Sequence, residues 1–350
     1  MNNELMSALD DLEREKGVDK EVLFEAIESA LISAYRRNFG SVQNVRVQIN
    51  RSTGATEVFA QKTVVPEVQD HRLEVSADEA RDVDPTAAEG DIVEFEITPK
   101  NFGRIAAQTA KQVIVQRIRE AERGMIYEEY SGREGDIVTG MVQRVERGLV
   151  FIDLGRTEAI LMPSEQVPGE MLRPNERVKL YVVEVKKTTK GPQVYLSRSH
   201  PGLIRRLFEL EVPEIHDGVV EIRGVAREAG ARTKIAVWAE DTNVDPVGAC
   251  VGAKGQRVQA IVNELKGEKL DIIAWDPEPA VFVSNALSPA HVTEVEIEES
   301  GRSARVIVPD NQLSLGIGKE GQNARLAAKL TGWRVDLKSE SQVGRGGFWS

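Results

Sequence analysis

One cysteine, four histidines and an aromatic content of only 5% limit what these 350 residues can do. With Cys250 alone, neither an internal disulfide nor a multi-cysteine metal site can form, and a reducing cytoplasm is the expected compartment. His71, His200, His216 and His291 are scattered without the paired spacing of metal ligands. No apolar run reaches the roughly 18 residues of a membrane-spanning helix, so no membrane partner is expected. The first 20 residues are acidic and polar and lack the basic-then-apolar order of a secretory signal. Nothing matches a phosphate-binding loop ending in Gly-Lys-Ser/Thr, and the carboxylates form no pair assignable to one cleft. The expectation is a protein without catalytic residues, metal or cofactor.

What is present begins with size and charge. At 350 residues, 41% hydrophobic and 29% charged, the chain is predicted to be globular and to divide into two to four domains. Its net charge of −11 is unevenly spread: residues 1–130 hold 16 basic against 25 acidic side chains, 131–200 hold 11 against 9, and 201–350 hold 18 against 22. An acidic first domain suits a protein partner better than a phosphate backbone. Any nucleic-acid surface further on has to be a local patch.

Periodicity organises the chain. Apolar Val22, Leu23, Ala26, Ile27, Ala30, Leu31, Ala34 and Tyr35 recur at helical spacing over 20–39, and Ala106, Ala110, Val113, Ile114, Ile118 and Ala121 do so over 105–123. Strand-like runs lie at 44–50, 56–62 and 91–98. This predicts an α+β first domain, with the helical stripes either buried in its core or turned to a partner. From about Ser131 the texture changes to short strands at 136–145, 149–154, 157–162, 177–187 and 193–197, the pattern of a small oligonucleotide-binding barrel. Val150, Ile152 and Leu154 alternate to one face there, which puts Phe151 on the other, either as a stacking platform for a base or packed on a neighbouring domain. Arg144, Arg147, Lys186, Lys187, Lys190 and Arg198 are candidates for the surrounding positive charge; Tyr181 and Tyr195 are as consistent with burial as with stacking.

An internal repeat follows. Gly252, Ala253, Lys254 and Gly255, with Gln256 and Arg257, recur as Gly318, Lys319, Glu320 and Gly321, with Gln322 and then Arg325. Gly267 recurs as Gly332, and the join at Asp276, Pro277, Glu278 and Pro279 is short and stiff. A Gly-x-x-Gly turn between two helices lets the backbone approach another backbone without a Cβ in the way, and the following helix start favours phosphate. KH modules clamp about four nucleotides with such a turn. One copy alone is usually a bare helix–helix turn; two with the same surroundings argue for single-stranded RNA. Gly316 to Gly321 also match the dinucleotide-binding glycine pattern, but the preceding 309–315 is polar and helix-starting, not a buried strand. Cys250, between Ala249 and Val251, is expected to be a small buried residue.

The order of these parts, with the strings at 102–113, 196–201, 212–215, 245–252 and 317–325, resembles the NusA family of bacterial transcription factors over about residues 3–338. The resemblance implies an α+β multidomain chain: an RNA polymerase-binding domain at 1–130, an S1-type OB-fold barrel at 131–199, and tandem type II KH domains at 200–276 and 277–340. It further implies a monomer that joins other antitermination factors, holds nascent RNA and modulates pausing, termination and antitermination. Residues 341–350 match no segment of the family and are expected to be disordered. Two rival classes stay open here, an exoribonuclease-type enzyme that also combines S1 and KH modules, and a ribosome-associated RNA binder.

Overall fold

A computed structural model describes residues 2–40 and 44–345, and the chain divides into two compact units, Met1–Met125 and Ile126–Ser350. In the first unit, α1 (Asn2–Lys16) precedes α2 (Lys20–Phe39), whose start is capped by the Asp19 carboxylate and whose end turns on Gly40 at φ 61°. The strands β1 (Asn44–Ile49), β2 (Thr56–Val65), β3 (Glu74–Ser76) and β4 (Ile92–Glu96) form one sheet, with α3 (Ala77–Arg81) after β3. Long β2 is its centre, antiparallel to β1 and β4 and parallel to β3 at its far end. The helix α4 (Phe102–Ser131) extends the predicted 105–123 in both directions.

Most of the predicted stripe residues face inward, but Val22 is exposed and Phe24, outside the predicted stripe, is buried. Leu23, Phe24, Ile27, Leu31 and Tyr35 of α2 meet Phe102, Ala106, Ala110 and Ile114 of α4 and Val45, Val47 and Ile49 of β1 in one core. Leu9 and Leu12 of α1 close it, from a stretch whose polar composition hides the helix.

The second unit opens with a closed five-stranded barrel in the order β5 (Ile137–Glu146), β6 (Leu149–Asp153), β7 (Glu158–Leu161), β9 (Gly191–Ser197), β8 (Arg177–Thr188). Alternate residues, among them Val142, Val150, Ile152, Leu161, Leu180 and Leu196, fill its interior. Gly140 permits that closure, because a Cβ there would fall 2.2 Å from the Ile152 side chain.

Two copies of one α/β arrangement follow. The first has α5 (Pro201–Glu211), α6 (Pro213–His216), β10 (Glu221–Glu228), β11 (Arg232–Trp238), α7 (Pro246–Val251), α8 (Gln256–Glu264) and β12 (Lys269–Ala274). The second has α9 (Pro279–Ala286), β13 (Glu294–Glu298), β14 (Ser303–Val308), α10 (Leu313–Ile317), α11 (Gln322–Thr331) and β15 (Arg334–Ser339). In each, the middle strand is antiparallel to the strand before it and parallel to the strand after the helix pair. The tail expected to be disordered from 341 instead carries α12 (Glu340–Arg345) on the end of β15; 346–350 lie outside the described residues.

Buried polar groups join the three parts of this unit. Arg198, leaving the barrel, pairs with Glu170 and Glu264 and donates to the carbonyls of Lys179 and Glu264, the last residue of α8. Lys234 of β11 donates to Asp271 at 2.9 Å and to the Ser288 carbonyl of the second repeat at 2.7 Å. Gly224 of β10 lies against Leu330 at the end of α11, where a Cβ would come within 3.3 Å. The open face of the first repeat's sheet is thus covered by the second repeat, with Ala236 and Ile273 in the second repeat's core.

Candidate nucleic-acid interface

Each clamp is built by a short helix that stops, a turn, and a longer helix that starts. The first begins with the Asp245 carboxylate accepting from the Val247 amide at 3.1 Å and Pro246 in the first turn of α7. Gly252 then takes φ 73°, ψ 175°, Lys254 φ 53°, ψ 26°, and Gly255 φ 77°, ψ 14°. In the second, Gly318 takes φ 77°, ψ 171°, Glu320 φ 55°, ψ 25°, and Gly321 φ 73°, ψ 14°. The hydrogen bonds repeat as well: Gly252 and Gly318 each donate to a carbonyl four residues back at 2.9 Å. The sequence repeat is therefore a repeat of backbone conformation, residue for residue.

Glycine is required at the first position of each turn. Its extended, positive-φ conformation is essentially closed to other residues. A Cβ on Gly252 would also lie 2.7 Å from Arg257 Cγ, and one on Gly318 2.8 Å from the backbone nitrogen of Asn323. Gly255 and Gly321 sit in the ordinary left-handed region, where a Cβ would make only ordinary contacts, 3.9 Å from Val258 and 4.0 Å from Arg325. Lys254 and Glu320 hold left-handed backbone without being glycine, and both are exposed.

Position by position, Arg257 matches Asn323 and not Arg325. Arg257 Nη1 donates to the Ala249 carbonyl at 2.6 Å, and to Glu214 at 2.9 Å. Buried Asn323 Nδ2 donates to the Gly316 carbonyl at 3.1 Å and to the Leu287 carbonyl at 2.9 Å. Both side chains brace the helix before the turn. Arg325 and Gln322 bond instead to Glu228 of β10, at 2.7 and 2.8 Å, with Arg325 Nη1 also donating to the Glu320 carbonyl at 3.1 Å. Among the described residues, Lys254 and Lys319 have neither an ion pair nor a side-chain hydrogen bond with any other side chain, and both are exposed. Ala253 and Gln256 are exposed beside Lys254. The positive charge expected from Arg257 and Arg325 is thus already partnered. Asn323 carries no sequence signal of its own, because its role shows only when the repeats are aligned one residue at a time.

On the barrel, cross-strand pairing lines up Arg144, Phe151, Ile160, Tyr195 and Glu184 as one row over β5, β6, β7, β9 and β8. Phe151 and Tyr195 are half-buried in this outward row, outside the apolar clusters of the unit. The Arg144 guanidinium covers the Phe151 ring at 3.8 Å and pairs with Glu158 and Glu146; Lys186 lies 5.3 Å from the Tyr195 ring and pairs with Glu184. Tyr181 belongs elsewhere, stacked on His200 at 4.5 Å against the first repeat's core. Arg198, a sequence candidate for surface charge, is 1% exposed and serves the seam described above. Lys187 covers the Tyr127 ring at 4.1 Å.

Cys250 is fully buried, and burial chiefly pushes its thiol up to about 12, so it is an inert apolar group. Among the described residues no group of three or more His, Cys, Asp or Glu side chains is placed to hold a metal, and no helix is long and apolar enough to cross a membrane.

A barrel with an aromatic row and two Gly-x-x-Gly helix pairs held in one unit define a multidomain RNA-binding protein of the S1 and KH class. Comparison with known families agrees: residues 4–124 match the NusA N-terminal domain, 132–197 the S1 RNA binding domain, 198–275 the NusA-like first KH domain and 279–345 the NusA-like second KH domain. The chain is 61% identical to the transcription termination/antitermination protein NusA of Bacillus subtilis, over 98% of this chain and 92% of that protein. It is 62% identical to the protein of the same name from Halalkalibacterium halodurans, over 98% and 90%, and 48% identical to that of Mycobacterium tuberculosis, over 96% and 93%. The chain belongs to the NusA family.

Proposed function

We propose that this protein is a transcription elongation factor that docks on RNA polymerase through residues 1–130 and holds nascent single-stranded RNA on the barrel (131–199) and the two KH domains (200–276 and 277–340). Held there, emerging RNA is biased toward hairpin formation, which favours pausing and intrinsic termination; with other antitermination factors the same grip supports read-through. The protein makes and breaks no bond, acts as a monomer and works in the cytoplasm. The observation that carries this reading is the matched backbone of the two turns, held in one unit by Lys234, Asp271 and the Ser288 carbonyl. Two weak grips fixed relative to each other bind far more tightly than either alone, because the second contact forms at high effective concentration.

The acidic charge of residues 1–130 supports a protein partner for that part. An apolar cleft of about 580 Å³ lined by Ala8, Ile27, Leu31, Ala107, Ala110 and Ile114 lies in the same unit. The test of the RNA reading uses Gly255→Asp with Gly321→Asp. Neither site is crowded, the nearest heavy atoms lying 3.9 and 4.0 Å from the Cβ position, and aspartate is among the side chains that adopt left-handed backbone at least cost, so each turn gains a negative charge facing phosphate at a modest cost in backbone strain. RNA affinity and hairpin-pause lifetime should both fall; a folded double variant with both unchanged would refute the clamp.

A further inference from the structure

The two turns share a backbone but not a charge. Lys254 in the first stands where Glu320 stands in the second, and Lys319 stands where the first has Ala253. Arg325, a turn along α11, is joined by Glu228, which reaches across from β10 of the first repeat and accepts from Arg325 Nε at 2.7 Å and from Gln322 Nε2 at 2.8 Å. Lys319 and Arg325 are thereby matched by Glu320 and Glu228, with Lys329 a further turn away, whereas Lys254 has no such opponent at its own turn. We propose that Glu228 attenuates the second clamp's grip on RNA by occupying the two side chains of α11 that would otherwise reach a phosphate oxygen.

The proposal rests on reading both turns as RNA clamps. Its physical basis is competition between anions. The Glu228 carboxylate is in place on the guanidinium before any RNA arrives, and it is the less exposed partner, at 24% against 53% for Arg325. A phosphate approaching Arg325 has either to displace that carboxylate or to lie beside it and beside Glu320, and like charges at such range repel. The bond from Arg325 is also the main reason the Glu228 carboxyl sits below the ordinary carboxylate range, so it is charged at neutral pH. A residue of the first KH domain thus sets the strength of the second. The first turn is the anchor through Lys254, and the second is a lighter hold that lets RNA advance.

The test uses the full chain, a short labelled single-stranded RNA and a series of salt concentrations. Glu228→Gln removes one negative charge and frees Arg325, which amounts to one more phosphate contact. Affinity should rise about fivefold at 0.1 M salt, with the salt slope steeper by about 0.7. Arg325→Gln should cost little in the native background and should abolish the gain in the Glu228→Gln background, a coupling that a double-mutant cycle reads directly. Equal or weaker binding by folded Glu228→Gln overturns the proposal. If that variant does not fold, Arg325→Gln alone decides: a loss as large as that of Lys254→Gln overturns it, and near-native binding upholds it. A native chain that binds no RNA defeats the clamp reading itself and this proposal with it.

Discussion

Arg257 and Asn323 show what one position in a helix–turn–helix repeat requires, a donor aimed back at the helix before the turn. One site uses a guanidinium and the other an amide, and the carbonyls they reach, at Ala249 and Gly316, lie one aligned position apart. Lys254 has no such duty. Lys254→Gln should therefore weaken RNA binding and make its salt slope shallower by about 0.7, with the unfolding midpoint unchanged. Arg257→Gln should do the reverse, losing about 1–2 kcal/mol of stability with the salt slope nearly native. Equilibrium unfolding and salt-dependent RNA titration of both variants separate the roles, and matching slope changes would contradict the assignment. The glycines of this site were legible in the sequence because their spacing is the motif. The roles of Arg257 and Arg325 were not, since a basic residue near a glycine turn looks the same whether its charge meets phosphate or a carboxylate, from its own domain as for Arg257 or from another as for Arg325.

At the scale of elements, alternation and helical spacing placed the barrel strands and α2 almost to the residue, because burial of one face imposes those periods. The same signal missed α1, which contributes Leu9 and Leu12, with Met6 and Ala8 packed alongside, to a core made mostly by other elements. It also could not find the ion pairs inside the first KH domain. Arg227 and Glu268 are 1% and 0% exposed and meet through two bonds of 2.9 Å, with Thr233 and the Gly230 amide completing the carboxylate's partners. Burial alone would raise the Glu268 carboxyl, but the Arg227 bonds, with those from Thr233 and Gly230, bring it below the ordinary range. Its stabilising contribution is thus present above the unfolded carboxyl value of about 4 and disappears as pH falls through the lower folded value. Urea midpoints should fall from about pH 4 downward, and this fall should be smaller in Glu268→Gln, which has no carboxyl to titrate. Arg227→Ala leaves that carboxylate buried and unpaired, so a loss of about 3–5 kcal/mol is expected at neutral pH, and a loss under about 1 kcal/mol would show that the pair is not needed.

For the whole molecule, the division of charge and the division of structure nearly coincide. The structural boundary falls at Met125, inside α4, while 16 basic and 25 acidic side chains lie in residues 1–130. The first unit has its own core around Phe24, Ile27 and Phe102, and the second has cores in the barrel and in each KH repeat that share residues at their seams, Tyr181 against the first repeat and Ala236 and Ile273 in the second. Among the described residues each apolar cluster draws on one unit alone, so each unit should fold without the other. The second unit carries Lys254, Lys319 and the aromatic row and should hold RNA alone. The first carries most of the negative charge, which opposes RNA binding at long range and weakly. Removing 1–125 should therefore leave RNA affinity equal or modestly higher at low salt, with the difference vanishing at high salt, and should abolish co-purification with RNA polymerase. Filling the first unit's cleft with Ala107→Trp should mimic only the second effect. Polymerase binding that survives both changes would place the docking surface outside residues 1–125, and RNA binding lost on truncation would mean that the two units share one RNA site.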